Sequence, residues 1–190
     1  MSDIRLYIDF KSPQAYLAMQ PTLRLCERLQ VSIDWQPYRT RQLRIELPRD
    51  DESRGETHVR VRQQQRHETC LRYADIQGIP MTFPQQPGVT DCALLALLSL
   101  AENPQAYIQA AFNAYWCDGY DLDNTEVVKA LLRSSGYNAS DFDPQVLSGQ
   151  LDEAQRSAEE AGVFDTPTFV VEDQMFLGRE QLSLIESTLS

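Results

Sequence analysis

The sequence predicts an α/β fold in which a βαβ unit at the start and a ββα unit at the end enclose a large all-helical insertion. Three features predict it. Leu6, Ile8 and Phe10 alternate with Arg5, Tyr7 and Asp9 just ahead of an apolar repeat of helical spacing. Residues 168–177 read as a short-turn hairpin that runs into a final helix. Between the two ends, residues 57–161 carry helical periodicity and start signals, with no flexible linker, repeat or low-complexity tract.

Taken in order, the first strand is expected over 4–10. The helix after it spans 13–29, with Tyr16, Leu17, Leu23, Leu25 and Leu29 as its apolar positions and Pro21 expected to bend it. Residues 32–38 read as a second strand, which a right-handed crossover lays parallel to the first. From 39 to 56 the chain is polar, carries Pro48 and the acidic run Asp50-Asp51-Glu52, and reads as a long loop or short helix. Helices are expected at 57–77, 91–102, 104–116, 125–135 and 151–161, with start signals at Asn103-Pro104 and Asn124. Gly78-Ile79-Pro80 through Pro84 reads as an extended connector, because a residue preceding proline is pushed out of the helical region. Strands at 168–172 and 175–177 flank a turn at Asp173-Gln174, and the closing helix is read from 179 to about 189. The α/β domain is thus expected at 1–56 and 162–190, with 57–161 as the inserted helical subdomain.

With 190 residues, the chain is long enough for one domain carrying an insertion. Its net charge of −11, with two lysines and no basic stripe, argues against nucleic acid and anionic membrane surfaces as partners. No charged leader followed by an apolar run opens the sequence, and no stretch of about 18 apolar residues follows; a cytoplasmic location is expected. Cys26, Cys70, Cys92 and Cys117 have gaps unsuited to zinc and form no C-x-x-C. They read as reduced, buried thiols, and no metal is expected. His58 and His67 lie in a polar, arginine-rich helix and read as solvated.

Chemistry points to the first strand-to-helix turn, Lys11-Ser12-Pro13-Gln14-Ala15. The exposed N–H groups and dipole of a helix N-terminus stabilise a thiolate, yet Ser12 stands at the turn and Ala15 where a C-x-x-C would place its second cysteine. A thiolate there would have to come from a bound molecule. Ser-Pro is equally a common helix start, with the hydroxyl as cap and proline at the first position. Both readings of Ser12 stay open on the residues alone.

Several segments together carry a resemblance over nearly the whole chain. They are Tyr7-Ile8-Asp9-Phe10-Lys11-Ser12-Pro13 with Tyr16-Leu17-Ala18, Tyr73-Ala74 before Gly78-Ile79-Pro80 and Phe83-Pro84, Ala114-Tyr115-Trp116, and Gly162-Val163-Phe164 through Thr166-Pro167-Thr168-Phe169. In order and spacing the chain resembles the 2-hydroxychromene-2-carboxylate isomerase family, sister to kappa-class glutathione transferases and more distantly related to DsbA-like proteins. The resemblance implies a thioredoxin-like fold with a helical insertion, glutathione as cofactor, a small aromatic substrate from aromatic-compound catabolism and a homodimer. It implies that Ser12 is catalytic and hydrogen-bonds the glutathione sulfur. It further implies a cis Thr166-Pro167 bond, with Thr166 pairing its backbone with the cysteinyl unit and Gly178, Arg179, Glu180 and Gln181 facing the γ-glutamyl end.

The chain departs from the family at Gln14, where tyrosine is usual, and at Lys11, where an apolar or small residue is usual. The tail pattern Trp-Gly-x-Asp-Arg becomes Leu177-Gly178-Arg179-Glu180-Gln181, and the asparagine-containing stretch expected after the second strand is not recognisable. Lys11 reads either as a charge beside the sulfur or as a surface lysine at a strand end. Tyr115, Trp116 and Tyr120 read either as an acceptor pocket or as core. The alternatives to an isomerase are a kappa-like transferase, in which the adduct is the product, and a thioredoxin-fold binding protein without catalysis.

Overall fold

In the computed structural model, which describes residues 4–41, 48–86, 88–100 and 102–189, the chain opens with β1 (Ile4–Ile8), α1 (Pro13–Leu29) and β2 (Ile33–Pro37). β1 and β2 pair in parallel, Leu6 opposite Trp35. At the far end come β3 (Thr168–Val171), β4 (Gln174–Leu177), a 3₁₀ turn at Arg179–Gln181 and α7 (Leu182–Leu189). β3 lies antiparallel to β1, with Phe169 opposite Leu6, so the sheet order is β2-β1-β3-β4. Both ends of the chain share one sheet, which is the thioredoxin-like architecture expected. The insertion supplies α2 (Arg54–Gln77), α3 (Asp91–Ser99), α4 (Gln105–Trp116), α5 (Thr125–Ser134) and α6 (Pro144–Glu160). Among the described residues no helix is long and apolar enough to cross a membrane.

Element boundaries differ from expectation where a cap decides them. α2 begins at Arg54, ahead of residue 57, because Ser53 and Glu56 form a reciprocal box: Ser53 N–H donates to Glu56 at 2.8 Å and Glu56 N–H to Ser53 Oγ at 3.3 Å. α6 begins at Pro144 and not at 151, with Asp143 accepting from Gln145 N–H at 2.9 Å. α3 stops at Ser99, short of 102, because Leu100 is extended. The hairpin turns on Glu172 and Asp173, both at positive φ (48° and 64°), a pair whose twist suits a two-residue hairpin better than Asp173-Gln174. The last helix opens with a 3₁₀ turn, and α1 runs through Pro21 unbroken. Residues 42–47 of the expected 39–56 loop lie outside the described residues.

Ile4, Leu6, Ile8 and Phe10 enter the main core with Phe169, Tyr107, Phe112 and Trp116. Tyr7, on the opposite side of β1, joins Tyr38, Ala158 and Val163 in a second cluster. Helix α6 therefore covers the face that alternation would leave to water, and Tyr7 and Asp9 are buried where the pattern made them the outward positions. Trp116 is wholly buried and donates its indole N–H to the Phe10 carbonyl at 2.9 Å, fixing the end of the β1 segment from α4. Tyr115 is also core, donated to by Gly88 N–H at 3.2 Å, whereas Tyr120 is exposed. The core reading holds for Tyr115 and Trp116 and not for Tyr120. Trp116→Leu removes ring volume and leaves the Phe10 carbonyl without its indole donor, and should lower unfolding free energy by about 3 kcal/mol. Urea denaturation checks this; a loss under about 1 kcal/mol would show that the indole does not anchor the turn.

Candidate active site

Ser12 sits at the N-cap of α1 in extended backbone (φ −79°, ψ 114°) and is 5% exposed. Its Oγ accepts from Ala15 N–H at 3.3 Å, so the capping reading is correct. The same hydroxyl donates to the carbonyl of Thr166 at 3.1 Å. One side chain thus closes the helix and joins the two ends of the sequence. No acidic residue occupies the first turn of α1, which leaves the positive end of the helix dipole uncompensated from within the helix.

Behind this turn lies a carboxylate that strand alternation assigned to the outward face. Asp9 is 0% exposed and accepts from Thr90 Oγ1 (2.6 Å), Thr40 N–H (2.7 Å), Thr40 Oγ1 (2.9 Å) and Lys11 N–H (3.2 Å). Lys11 Nζ stands 3.7 Å from Asp9 Oδ2, with only 13% of its side chain exposed. Lys11 is therefore no surface lysine; it is anchored by Asp9 and lines the same cavity as Ser12.

That cavity holds about 910 Å³, between the Ser12 turn, the wall of α2 and the Asp165–Thr166 and Leu177–Glu180 segments. Gln14 reaches across it to donate to Cys70 Sγ at 3.3 Å. Burial pushes the Cys70 thiol up to about 11, so the chain's own sulfur beside Ser12 is protonated near neutrality. Cys26, Cys70, Cys92 and Cys117 form no disulfide among the described residues; the first three are buried and Cys117 is half-buried. His67 is not solvated as the sequence suggested. Its ring meets Phe83 edge-on at 3.8 Å between centres, its Nε2 is sealed from water without a partner, and burial lowers its pKa from 6.5. The sequence signal for this wall was the polarity of α2 on all sides, which buries only Cys70 and Ala74 over its length.

The residues expected at a glutathione site are brought together in part. Thr166 lines the cavity; Pro167 lies behind it, and the bond between them is cis. Gly178 and Glu180 also face the cavity, with Gly178 N–H donating to the Pro167 carbonyl at 2.9 Å. Arg179 turns away and stacks on Tyr73, its guanidinium 3.3 Å from the ring centre, in a neighbouring groove. Gln181 lines neither space. Both backbone groups of Thr166 are already engaged: its carbonyl by Ser12, its N–H by Asp165 Oδ1 at 2.8 Å.

The sealed His67 ring has a pH consequence. In the unfolded chain it takes a proton as pH falls through about 6.5; in the folded chain it does so only lower, so the unfolded state binds more protons in that window. Its contribution to stability is complete above 6.5 and is lost as pH falls below it. The His67 ring proton should titrate in the folded protein with a midpoint below 6.5 by NMR, and His67→Gln should flatten the loss of stability between about pH 7 and 5. A midpoint at or above 6.5 would contradict the sealed ring.

Comparison with known proteins gives the family and the fold. The chain is 26% identical to the 2-hydroxychromene-2-carboxylate isomerase of Pseudomonas putida, covering 98% of this chain and 93% of the relative. It is 27% identical to that of Sphingobium xenophagum, covering 98% and 97%. The fold superimposes on a solved 2-hydroxychromene-2-carboxylate isomerase with a TM-score of 0.77 at 25% identity, over 98% of this chain and 93% of that one. It also matches the fold of the cytosolic disulfide reductase DsbM of Pseudomonas aeruginosa, solved with GSH, at a TM-score of 0.60 and 15% identity, over 98% and 95%. Residues 3–190 match the family described as DSBA-like thioredoxin domain, and the chain belongs to that family.

Proposed function

We propose that the protein is a glutathione-dependent isomerase of the 2-hydroxychromene-2-carboxylate type, acting on a small conjugated aromatic electrophile. The observation that carries this reading is the Ser12 hydroxyl, aimed into a cavity at the N-terminus of α1 where the chain's only lining sulfur among the described residues is a protonated, buried thiol. The reactive thiolate then comes from glutathione. Lowering its pKa from about 8.5 to about 6.5 takes roughly 2.7 kcal/mol. The helix terminus supplies about 0.3–2 kcal/mol and a hydrogen bond to the charged sulfur about 1.5–3 kcal/mol, so both are needed.

Binding proceeds by exchange. Ser12 turns its O–H from the Thr166 carbonyl to the sulfur, and that carbonyl accepts the cysteinyl N–H in its place. Asp165 and Glu180, carboxylates at the cavity edge, take the γ-glutamyl ammonium. Held at Ser12, glutathione would supply a thiolate able to add reversibly to a conjugated carbon and to leave again, unconsumed, once the bond has turned. A transferase would stop at the adduct, so the free thiol count after turnover separates the two chemistries.

Glutathione at millimolar concentration should raise the melting temperature above that of a matched anionic control; no shift removes the reading. Ser12→Ala should raise the midpoint of the ultraviolet thiolate titration of bound glutathione and cut turnover about tenfold per 1.36 kcal/mol lost. Equal midpoints in wild type and variant would leave Ser12 a helix cap and nothing more.

A further inference from the structure

The ion pair between Lys11 Nζ and Asp9 Oδ2, at 3.7 Å, is too long for a hydrogen bond, and among the described residues the ammonium donates to nothing. The Asp9 carboxylate does not depend on it. Thr90 Oγ1 (2.6 Å), Thr40 N–H (2.7 Å), Thr40 Oγ1 (2.9 Å) and the Lys11 backbone N–H (3.2 Å) already meet that carboxylate, which is 0% exposed. The Lys11 side chain, at 13% exposure, is almost as far from water and keeps all three of its N–H donors unspent. A sheltered charge in that condition is unfavourable until an anion completes it. Position 11 is also one at which the chain departs from the family it resembles.

The next residue says where that anion sits. Ser12 caps α1 at the same cavity, and the first turn of the helix carries no acidic residue to offset its dipole. Thr166, whose carbonyl takes the Ser12 hydroxyl, is 3% exposed and holds its own Oγ1 buried without a partner. Buried polar atoms in a native protein are nearly always satisfied, so this orphan points to a ligand at the mouth of α1. The other charges around the cavity are all exposed: Arg62 and Arg66 on α2, Arg41 after β2, Asp165 before β3 and Glu180 after β4. Burial keeps His67 neutral and Cys70 protonated near neutrality. Water and salt screen the exposed charges, and Lys11 is the sheltered cation beside Ser12. Asp9 opposes its field only from behind, spread over four hydrogen bonds.

We propose that Lys11 is a catalytic residue, its ammonium being the second group, with the Ser12 hydroxyl, that holds the thiolate at the N-terminus of α1. This rests on the glutathione-dependent reading and deepens it. The hydroxyl offers the sulfur one hydrogen bond and no charge; the ammonium offers both and keeps its ion pair with Asp9. The thiol proton passes to water, and the site stabilises the anion that remains.

The test reads two thiols. In the first arm the ultraviolet thiolate absorbance of bound glutathione is titrated against pH in wild type, Lys11→Met and Lys11→Arg. In the second arm Ser12→Cys places a sulfur at the turn itself, and the same two changes are made in that background. Its titration is taken as the difference from the matching protein with Ser12, which subtracts the four native cysteines and needs no glutathione. Lys11→Met removes the charge at similar length and should raise both midpoints by on the order of one pH unit, or about tenfold less thiolate at a given pH below them. Lys11→Arg should keep most of the original midpoint. A merely structural lysine would lower the melting temperature of Lys11→Met and move neither midpoint, so a midpoint left in place in either arm overturns the proposal. A shift of equal size in Lys11→Arg overturns it too, because packing and not charge would then be responsible. Lys11→Gln carries the same expectation where Lys11→Met does not fold. Failure of glutathione to bind wild type is a separate result that removes the isomerase reading, and the thiol at position 12 still decides whether Lys11 acts on a sulfur at this turn.

Discussion

The carboxyl group of Asp9 is the constraint around which the site is assembled. Removing a carboxylate from water is unfavourable unless every lone pair is met, and at 0% exposure Asp9 is met from three separate parts of the chain. Thr40 arrives from the end of β2, Thr90 from the start of α3, and Lys11 from the turn itself. The turn that presents Ser12 is thereby held on one side by Asp9, whose carbonyl also accepts Ser12 N–H at 3.0 Å, and on the other by Trp116 on the Phe10 carbonyl. Removing the Asp9 carboxyl would leave Thr90, Thr40 N–H and Lys11 short of a partner together, which is a larger loss than any one of those bonds.

The cavity draws its two walls from different logics. One wall is the rigid sheet edge and helix terminus, where backbone groups are fixed by the strand ladder. The other is α2, a helix without an apolar stripe, capped at its start by Ser53 and Glu56 and fastened at its far end through Cys70, Ala74 and the Arg179–Tyr73 stack. A helix so polar keeps its place through its ends. Arg179, expected at the glutathione site, is the residue that makes this stack.

The fold was legible because its signals are local and redundant. Alternation in β1, the spacing of α1 and the hairpin before α7 each place an element without knowledge of the others. Boundaries failed where a cap was passed over, as at Ser53-x-x-Glu56 and Asp143-Pro144, although both carry their signal in the sequence. His67 was read too simply for a different reason, the one that also hid the burial of Asp9: exposure of a polar residue depends on what packs against it from elsewhere. Asp9 alternates with core residues as an outward position should, and only Thr90 and Thr40, distant in sequence, make it an inward one. His67 looks solvated until Phe83 closes over it.

The Ser12 hydroxyl caps α1 and also donates to the Thr166 carbonyl, so capping does not use up its hydrogen. A capping serine with a free O–H would leave the Thr166 carbonyl orphaned in a nearly dry site, at a cost of about 1–3 kcal/mol. Donation to that carbonyl satisfies it in the absence of ligand and keeps the hydroxyl aimed across the mouth of the helix. A tripeptide that brings both a sulfur anion and an amide N–H replaces the bond at each end: the hydroxyl gains a charged acceptor, and the carbonyl gains a new donor. A simple alkyl thiol brings only the first, and leaves the carbonyl unpaired. On the proposed reading, such an arrangement would discriminate between thiols by their backbone and not by their sulfur.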